Sequence, residues 1–315
     1  MRGYVAQRLG LAVVQVMVLS VLVFALTALL PGDAADVRFD ESASPEQVAT
    51  LRAELGLDRP AVERFFDWAG GVLTGDLGQS LVNRQPVSEI IGGSVGATLV
   101  LAVVTLAVVV PLAALLGALA GVFEGGRLDR SITSVTLVLT AIPDFVLALL
   151  LISVLSLQLG WLPATWVGAT GDDLLASPEL LVLPVLVLFL RTVCTLSRQV
   201  RAGTITSLHA GYVVQARRLG VPRRSLLLRH VLPNAAVPGV QELARVGDNL
   251  LGGVLVVEAI FAIPGFATAL IDGVESRDVP VVQGLTLVLA VAALLVNLAA
   301  DLVCNRLVPR TEVLR

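Results

Sequence analysis

The sequence predicts an all-α polytopic membrane protein with six transmembrane helices, and three observations carry that prediction. Hydrophobic residues make up 56% of the 315 positions and charged residues 15%, with a mean hydropathy of +0.87. A hydrocarbon core about 30 Å thick takes about 20 apolar residues at 1.5 Å of rise each, and the chain supplies six such stretches. The charges are also segregated: Leu180 through Gln241 holds no acid, whereas residues 32–93 hold 11 acids against 5 arginines. Short arginine-rich loops resist translocation. The basic stretch is therefore expected inside the cell and the acidic segments outside.

The elements follow in order. Leu9 to Leu30 is apolar and preceded by Arg2 and Arg8. It is longer than a signal-peptide core and ends in Pro31-Gly32-Asp33 without a small-x-small cleavage site, so residues 1–31 read as a retained first helix with its N-terminus inside. Residues 32–93 read as an external segment. In it Ser44 caps a short amphipathic helix that stops at Gly56, and Pro60 starts a second. Phe65, Phe66 and Trp68, with Leu73 and Leu77, point to packing at the membrane interface or in a small external subdomain.

Residues 94–304 read as a five-helix core. The second span, Ala97 to Phe123, contains Pro111 as a kink and Gly117-x-x-x-Gly121 as a close-packing face. A charged loop, EGGRLDR, leads to a third span from Ile132 to about Leu159, which contains Pro143-Asp144. Residues 160–179 carry Asp172, Asp173 and Glu179 and read as external. The fourth span runs from Leu180 to about Leu196 and the fifth from Ala235 to about Val257. An acidic external segment, Glu258 to Pro280, precedes the sixth span, Val281 to Val303. Residues 305–315 form a basic tail, so both termini are expected in the cytoplasm.

Composition removes several chemistries. All 22 basic residues are arginine, and a phosphate-binding P-loop needs a lysine at the β/γ-phosphates. Nucleotide hydrolysis of that kind is therefore expected on a partner. Cys194 and Cys304 lack metal-ligand spacing and read as small buried hydrophobes. With two histidines, His209 and His230, in the whole chain, a His/Cys metal cluster or a Ser/His/Asp triad has little support.

The segment Arg198–Pro233 carries seven arginines and no acid. Tyr212, Val213, Val214, Gln215, Ala216, Arg217, Arg218 and Leu219 have a helical composition, and Gly220 suits a left-handed C-terminal cap. Pro222 can occupy the first position of a second helix, and Pro233 blocks a simple continuation into the next span. The expected form is a short helix, a sharp corner and a second helix against the membrane surface. The charge by itself fits an ordinary positive loop, with Arg217 and Arg218 complementing a helix C-terminus or anionic lipid.

Tyr212, Ala216, Arg217, Gly220 and Pro233 fill the pattern Y-x-x-x-A-R-x-x-G followed by a distant proline, which resembles the EAA loop of binding-protein-dependent ABC importer permeases. The chain is most similar to their dipeptide/oligopeptide subfamily. The likeness covers nearly the whole chain: Pro31-Gly32-Asp33, Leu55 to Pro60, Gly75-Asp76-Leu77-Gly78, Arg198 and Arg201, Glu258 to Phe261 with Pro264-Gly265, Arg277 to Gly284, Asn297, Asp301 and Pro309-Arg310. Two features depart from the general pattern. The triplet reads Val214-Gln215-Ala216, as is usual in the peptide subfamily, and Glu242, Arg245 and Asp248 stand where relatives tend to be more apolar.

This resemblance implies a type I ABC importer (MetI-like) permease fold in a prokaryotic inner membrane. It implies that residues 198–233 dock on an ATPase subunit, through Tyr212, Val213, Gln215, Ala216, Arg217, Arg218, Leu219, Gly220, Pro222 and Pro233. The implied partners are a second related permease subunit, two ATPase subunits that hold ATP and Mg, and an external solute-binding protein. No cofactor on this chain and no nucleic acid are implied.

Candidates for the translocation path or its gate are Asp144, Glu242, Arg245, Asp248 and Asn249. A carboxylate in mid-span must face the bundle or a water-filled cavity. Asp144 can therefore meet substrate, or pair with an arginine such as Arg191 or Arg245; Glu242, Arg245 and Asp248 can likewise compensate one another within a helix. Asn297 and Asp301, near the end of the last span, read as packing and anchoring residues. A self-sufficient ion-coupled transporter would also use such groups, but the inverted repeat common in those proteins is absent. A membrane-embedded enzyme would need a metal motif or nucleophile/base constellation that the chain lacks.

Overall fold

The computed structural model describes residues 2–28, 45–54, 56, 58–167 and 177–307. The expected Ser44 cap, the end of the first apolar run, Asp172, Asp173 and the Pro309-Arg310 motif lie outside them. The described residues form helices α1 (Arg2–Ala28), α2 (Pro45–Glu54), α3 (Ala61–Thr74), α4 (Val87–Val122), α5 (Arg127–Ala141) and α6 (Asp144–Leu151). After these come α7 (Glu179–Leu208), α8 (Gly211–Arg218), α9 (Arg223–Leu226), α10 (Leu232–Phe261), α11 (Phe266–Glu275) and α12 (Val279–Leu307). Four helices are long and apolar enough to cross a membrane, and two bent pairs bring the number to six if each pair is one span.

The expected single helix of the third span is one of those pairs. α5 and α6 meet at an angle of 101°. Pro143 has no N–H to offer, and its ring drives the preceding residue out of the helical region. Ile142 is accordingly extended, at φ −87° and ψ 125°. α6 then continues through a π-helical turn, Ile152–Gln158. α4, by contrast, continues through Pro111 without a break in the helix.

The chain divides into two compact units, Met1–Thr98 with Pro264–Leu294, and Leu99–Ile263 with Leu295–Arg315. In the first unit, α3 starts directly after Pro60, and Gly75 ends it in the left-handed conformation at φ +86°. Its aromatic face packs on α1: the rings of Phe24 and Phe65 stand edge to face at 5.3 Å, and Trp68 lies 6.2 Å from Phe24. Two distant motifs also meet here. Asp278 accepts hydrogen bonds from the Ser80 hydroxyl and from the Leu81 backbone N–H at 3.1 Å. Gln283 donates to the Thr27 hydroxyl at 2.9 Å, and Gly284 lies so close to Val87 that a Cβ there would come within 2.5 Å of its Cγ1.

The second unit is built around α7. Of its apolar window 56% is buried, against 22% for α4, which makes α7 the central helix. Val109, Ala113, Val193, Cys194 and Leu196 form its core, with Phe189 and Leu243 packed against them. Cys194 is fully buried and donates its thiol hydrogen to the Leu190 carbonyl at 2.9 Å. The Gly117/Gly121 face packs as expected: a Cβ on Gly117 would lie 2.7 Å from Cβ of Val200, and one on Gly121 would lie 2.5 Å from Cβ of Thr204. Gly203 of α7 meets the Ala235 carbonyl of α10 in the same way, at 2.5 Å. Small residues let these backbones approach closely enough for dispersion contacts to hold helices together in lipid, where no hydrophobic force does so. The Glu258–Phe261 motif closes the unit, since the Phe261 carbonyl accepts the backbone N–H of buried Trp166 at 2.8 Å.

Candidate functional site

The basic segment begins as an extension of α7, which runs on through Arg198 and Arg201 to Leu208. Ala210 is extended, and its carbonyl accepts the N–H groups of Val213 and Val214 at 3.0 and 3.1 Å, which starts α8. At the other end the Gly220 N–H reaches the Arg217 carbonyl and the Val221 N–H reaches the Ala216 carbonyl, both at 3.1 Å. These are the two bonds of a Schellman motif. The motif needs a left-handed residue at its turn, and Gly220 supplies it at φ +80°. The expected glycine cap is therefore present with its full bonding.

Beyond the corner, two expectations are corrected. Pro222 is not the first residue of the second helix but the residue before it, with ψ 141°; its carbonyl accepts the Leu226 N–H at 2.9 Å. Pro233 does not block continuation either. α9 passes through a π-helical turn, Leu227–Val231, straight into α10, where Pro233 sits in the first turn. A proline crowds the carbonyl four residues back and gives it no donor. A π turn just before it shifts the ladder and relieves that clash. The His230 carbonyl, inside this turn, accepts a hydrogen bond from the Asn234 side-chain amide at 2.7 Å and is approached by the Tyr212 hydroxyl at 3.4 Å. Tyr212 thus braces α8 against the start of α10.

The two arms share a small core of Val213, Leu226 and Val231, with Leu208, Ala216, Val221 and Leu227 packed on it. This sorts the predicted docking residues by direction. Val213 is fully buried, and Ala216 faces the core. Tyr212, Gln215, Arg217, Arg218 and Leu219 are exposed, and the spacing of Tyr212, Gln215, Arg218 and Leu219 places those four on one helical face. Leu219 is 75% exposed and Tyr212 48%, an apolar pair in an otherwise basic surface. Arg217 and Arg218 stand in the last turn of α8, where positive charge complements the helix dipole.

The structure also shows a residue that the sequence reading did not assign. Asp129, at the start of α5, is 3% exposed. Arg201 grips it with two bonds, Nε to Oδ1 at 2.6 Å and Nη2 to Oδ2 at 2.8 Å. The carboxylate also accepts the Gly125 N–H at 2.9 Å and the Thr133 hydroxyl at 3.2 Å. This bidentate, fully bonded pair is the strong form of an ion pair. It ties α5 to the end of α7 and so gives the basic segment a fixed base. Removing one partner of a buried pair leaves the other charge stranded. Asp129→Ala is therefore expected to cost about 3 kcal/mol, at the low end of that range because Arg201 keeps some solvent contact. Denaturant unfolding of the purified chain measures it, and a change below about 0.5 kcal/mol would show that the pair does not anchor the segment.

The path candidates separate into two groups. Asp144 pairs with Arg191, Oδ1 to Nε at 3.3 Å, rather than with Arg245. Arg245 lies 3.6 Å from Glu242, one turn away on α10, as self-compensation predicts. The side chains of Asp248, Asn249 and Asp301 lie outside the described residues.

Residues 113–313 match a family described as binding-protein-dependent transport system inner membrane component, and residues 1–102 match the N-terminal part of the corresponding membrane component. A protein of Brucella abortus named as a peptide transport system permease is 32% identical over 312 residues, covering 99% of both chains. The glutathione transport system permease protein GsiC of Escherichia coli is 34% identical over 301 residues, covering 96% of both.

Proposed function

Because this chain belongs to the family of binding-protein-dependent transport system inner membrane components, we propose that it imports peptides or similar small solutes and takes its driving force through the face Tyr212/Gln215/Arg218/Leu219. The chain is a multi-pass permease subunit of an ATP-driven importer. Two ATPase subunits bind ATP and Mg, a second related permease completes the path, and an external binding protein delivers the solute. Both termini and the basic segment face the ATPase side.

The observation that carries this reading is the build of the segment. An exposed helical face is held by a Schellman corner and a shared core. Such a face does not slide when pushed. Force applied to it passes along α7 and α10, the two helices it joins. Val213, Ala216, Gly220, Pro222 and Pro233 shape the segment, while Tyr212, Gln215, Arg218 and Leu219 make the contact, with Arg217 exposed beside them. Asp144 with Arg191 is assigned to joining α6 to α7, and Glu242 with Arg245 to compensating charge within α10, rather than to meeting the solute.

The test is reconstitution in liposomes with the second permease, the ATPase subunits and the binding protein. ATP-dependent uptake of a peptide is expected, and its loss on deleting residues 212–220 with the assembly's permease pair intact. Unchanged uptake after that deletion would overturn the reading.

A further inference from the structure

We propose that the second unit carries a built site for an anionic phospholipid in the leaflet beside the basic segment, with the phosphate on Arg223 and Arg224 and an acyl chain in the adjacent apolar crevice. The proposal uses none of the residues assigned to ATPase docking, so the two stand or fall separately.

A groove of about 540 Å³ runs between the end of α4 and the start of α10, floored by Leu115, Leu119, Phe123, Leu228 and Leu232. Arg223 and Arg224 line it too; both are exposed, and neither has an ion-pair partner among the described residues. Beside it lies an almost wholly apolar crevice of about 360 Å³, which shares Leu115, Ala118 and Leu232 with the groove and is also lined by Val110, Leu196 and Leu243. The two spaces are adjacent, with arginines lining one and an almost wholly apolar surface lining the other.

The occupant follows from that polarity. Leu115, Phe123 and Leu228 are each about half exposed, which an apolar ligand must cover. A peptide strand in the crevice would bring backbone N–H and C=O groups with no partners there, at several kcal/mol each. Free phosphate would satisfy the arginines and leave the crevice unfilled. A phospholipid satisfies both ends, and basic pockets between membrane helices favour anionic headgroups. Arg223 and Arg224 open the helix that leads into α10, so an occupied site would also steady the far arm of the corner.

The test is native mass spectrometry of the full chain in detergent with phosphatidylglycerol or phosphatidylcholine added. Phosphatidylglycerol is expected to be retained preferentially. At about 1 kcal/mol per arginine near anionic lipid, R223Q/R224Q should lower that preference about thirtyfold and leave phosphatidylcholine retention unchanged. A118W should fill the crevice and weaken both. Equal retention of the two lipids by the native chain, or an unchanged preference in R223Q/R224Q, would overturn the proposal. So would displacement of phosphatidylglycerol by glycerol phosphate, which has no chain. Phosphatidylglycerol with a photoreactive chain should label residues 110–123 and 223–243. Loss of that labelling in the complete transporter would overturn it as well, by giving the groove to a protein neighbour.

Discussion

Leu219→Asp together with Tyr212→Asp is expected to abolish ATP-dependent uptake while the chain remains folded. Leu219 and Tyr212 are the exposed apolar residues of α8, and an apolar or aromatic anchor at the centre of a protein interface is worth about 2 kcal/mol or more. Each loss then weakens association about thirtyfold, and a buried carboxylate adds its own desolvation cost. Neither side chain belongs to the Val213/Leu226/Val231 core, so stability should change little. Gly220→Pro gives the same functional loss by another route. It removes the N–H that bonds the Arg217 carbonyl and forbids φ +80°, since proline holds φ near −65°. The corner is lost although the exposed face keeps every side chain. Tyr212→Phe is the contrasting case: it removes only the long 3.4 Å contact to His230, and uptake should remain within a few-fold of normal. The measurement is initial uptake and ATPase rate in proteoliposomes. Normal uptake by the double aspartate variant would remove the docking assignment.

The second large effect belongs to the helix crossing beneath the segment. Gly117→Ala and Gly121→Ala should each destabilise the chain by about 2–3 kcal/mol, as overpacking does where backbone blocks relaxation. At Gly117 the new methyl would meet the Ser197 carbonyl and Val200, and at Gly121 it would lie 3.1 Å from the Arg201 carbonyl. Arg201 is the residue that holds Asp129, so displacement at Gly121 should also loosen the anchored end of α7. Gly96→Ala, on the same helix but with nothing within 4 Å, should be neutral or stabilising by up to about 1 kcal/mol. Unfolding of the purified chain in mixed micelles separates these outcomes. Equal behaviour of all three variants would mean that the crossing is not packed as described.

What the sequence made legible was local chemistry. The glycine cap after Leu219, the close-packing pair Gly117/Gly121 and the helix restart at Pro60 each depend on one or two residues and their neighbours. Prolines were harder, because the same residue can break, bend or be absorbed. Pro143 splits the third span at 101°, while Pro111 leaves α4 continuous and Pro233 is accommodated by a π turn. The outcome depends on the backbone around each proline: before Pro233 a π turn shifts the hydrogen-bond ladder. Family spacing located the docking segment but could not say which residues point outward; Val213 and Ala216 proved to be its core. Pairings between distant residues left no local pattern at all. Asp129 and Arg201 are 72 positions apart, and Ser80 and Asp278 are 198 apart. The one available signal was charge: Arg201 lies in a long stretch without an acid, so its partner had to come from another element.

The central claim is that the outward face of α8 is where the chain receives force from an ATPase. A photoreactive amino acid placed at Leu219 in the assembled transporter tests it most directly, with a second at Gly96 on α4 as the control. The account predicts a covalent product between this chain and the ATPase subunit from position 219, changing in yield with ATP, and none from position 96. A product at 219 with lipid alone, in a complex that retains its ATPase subunits, would contradict it.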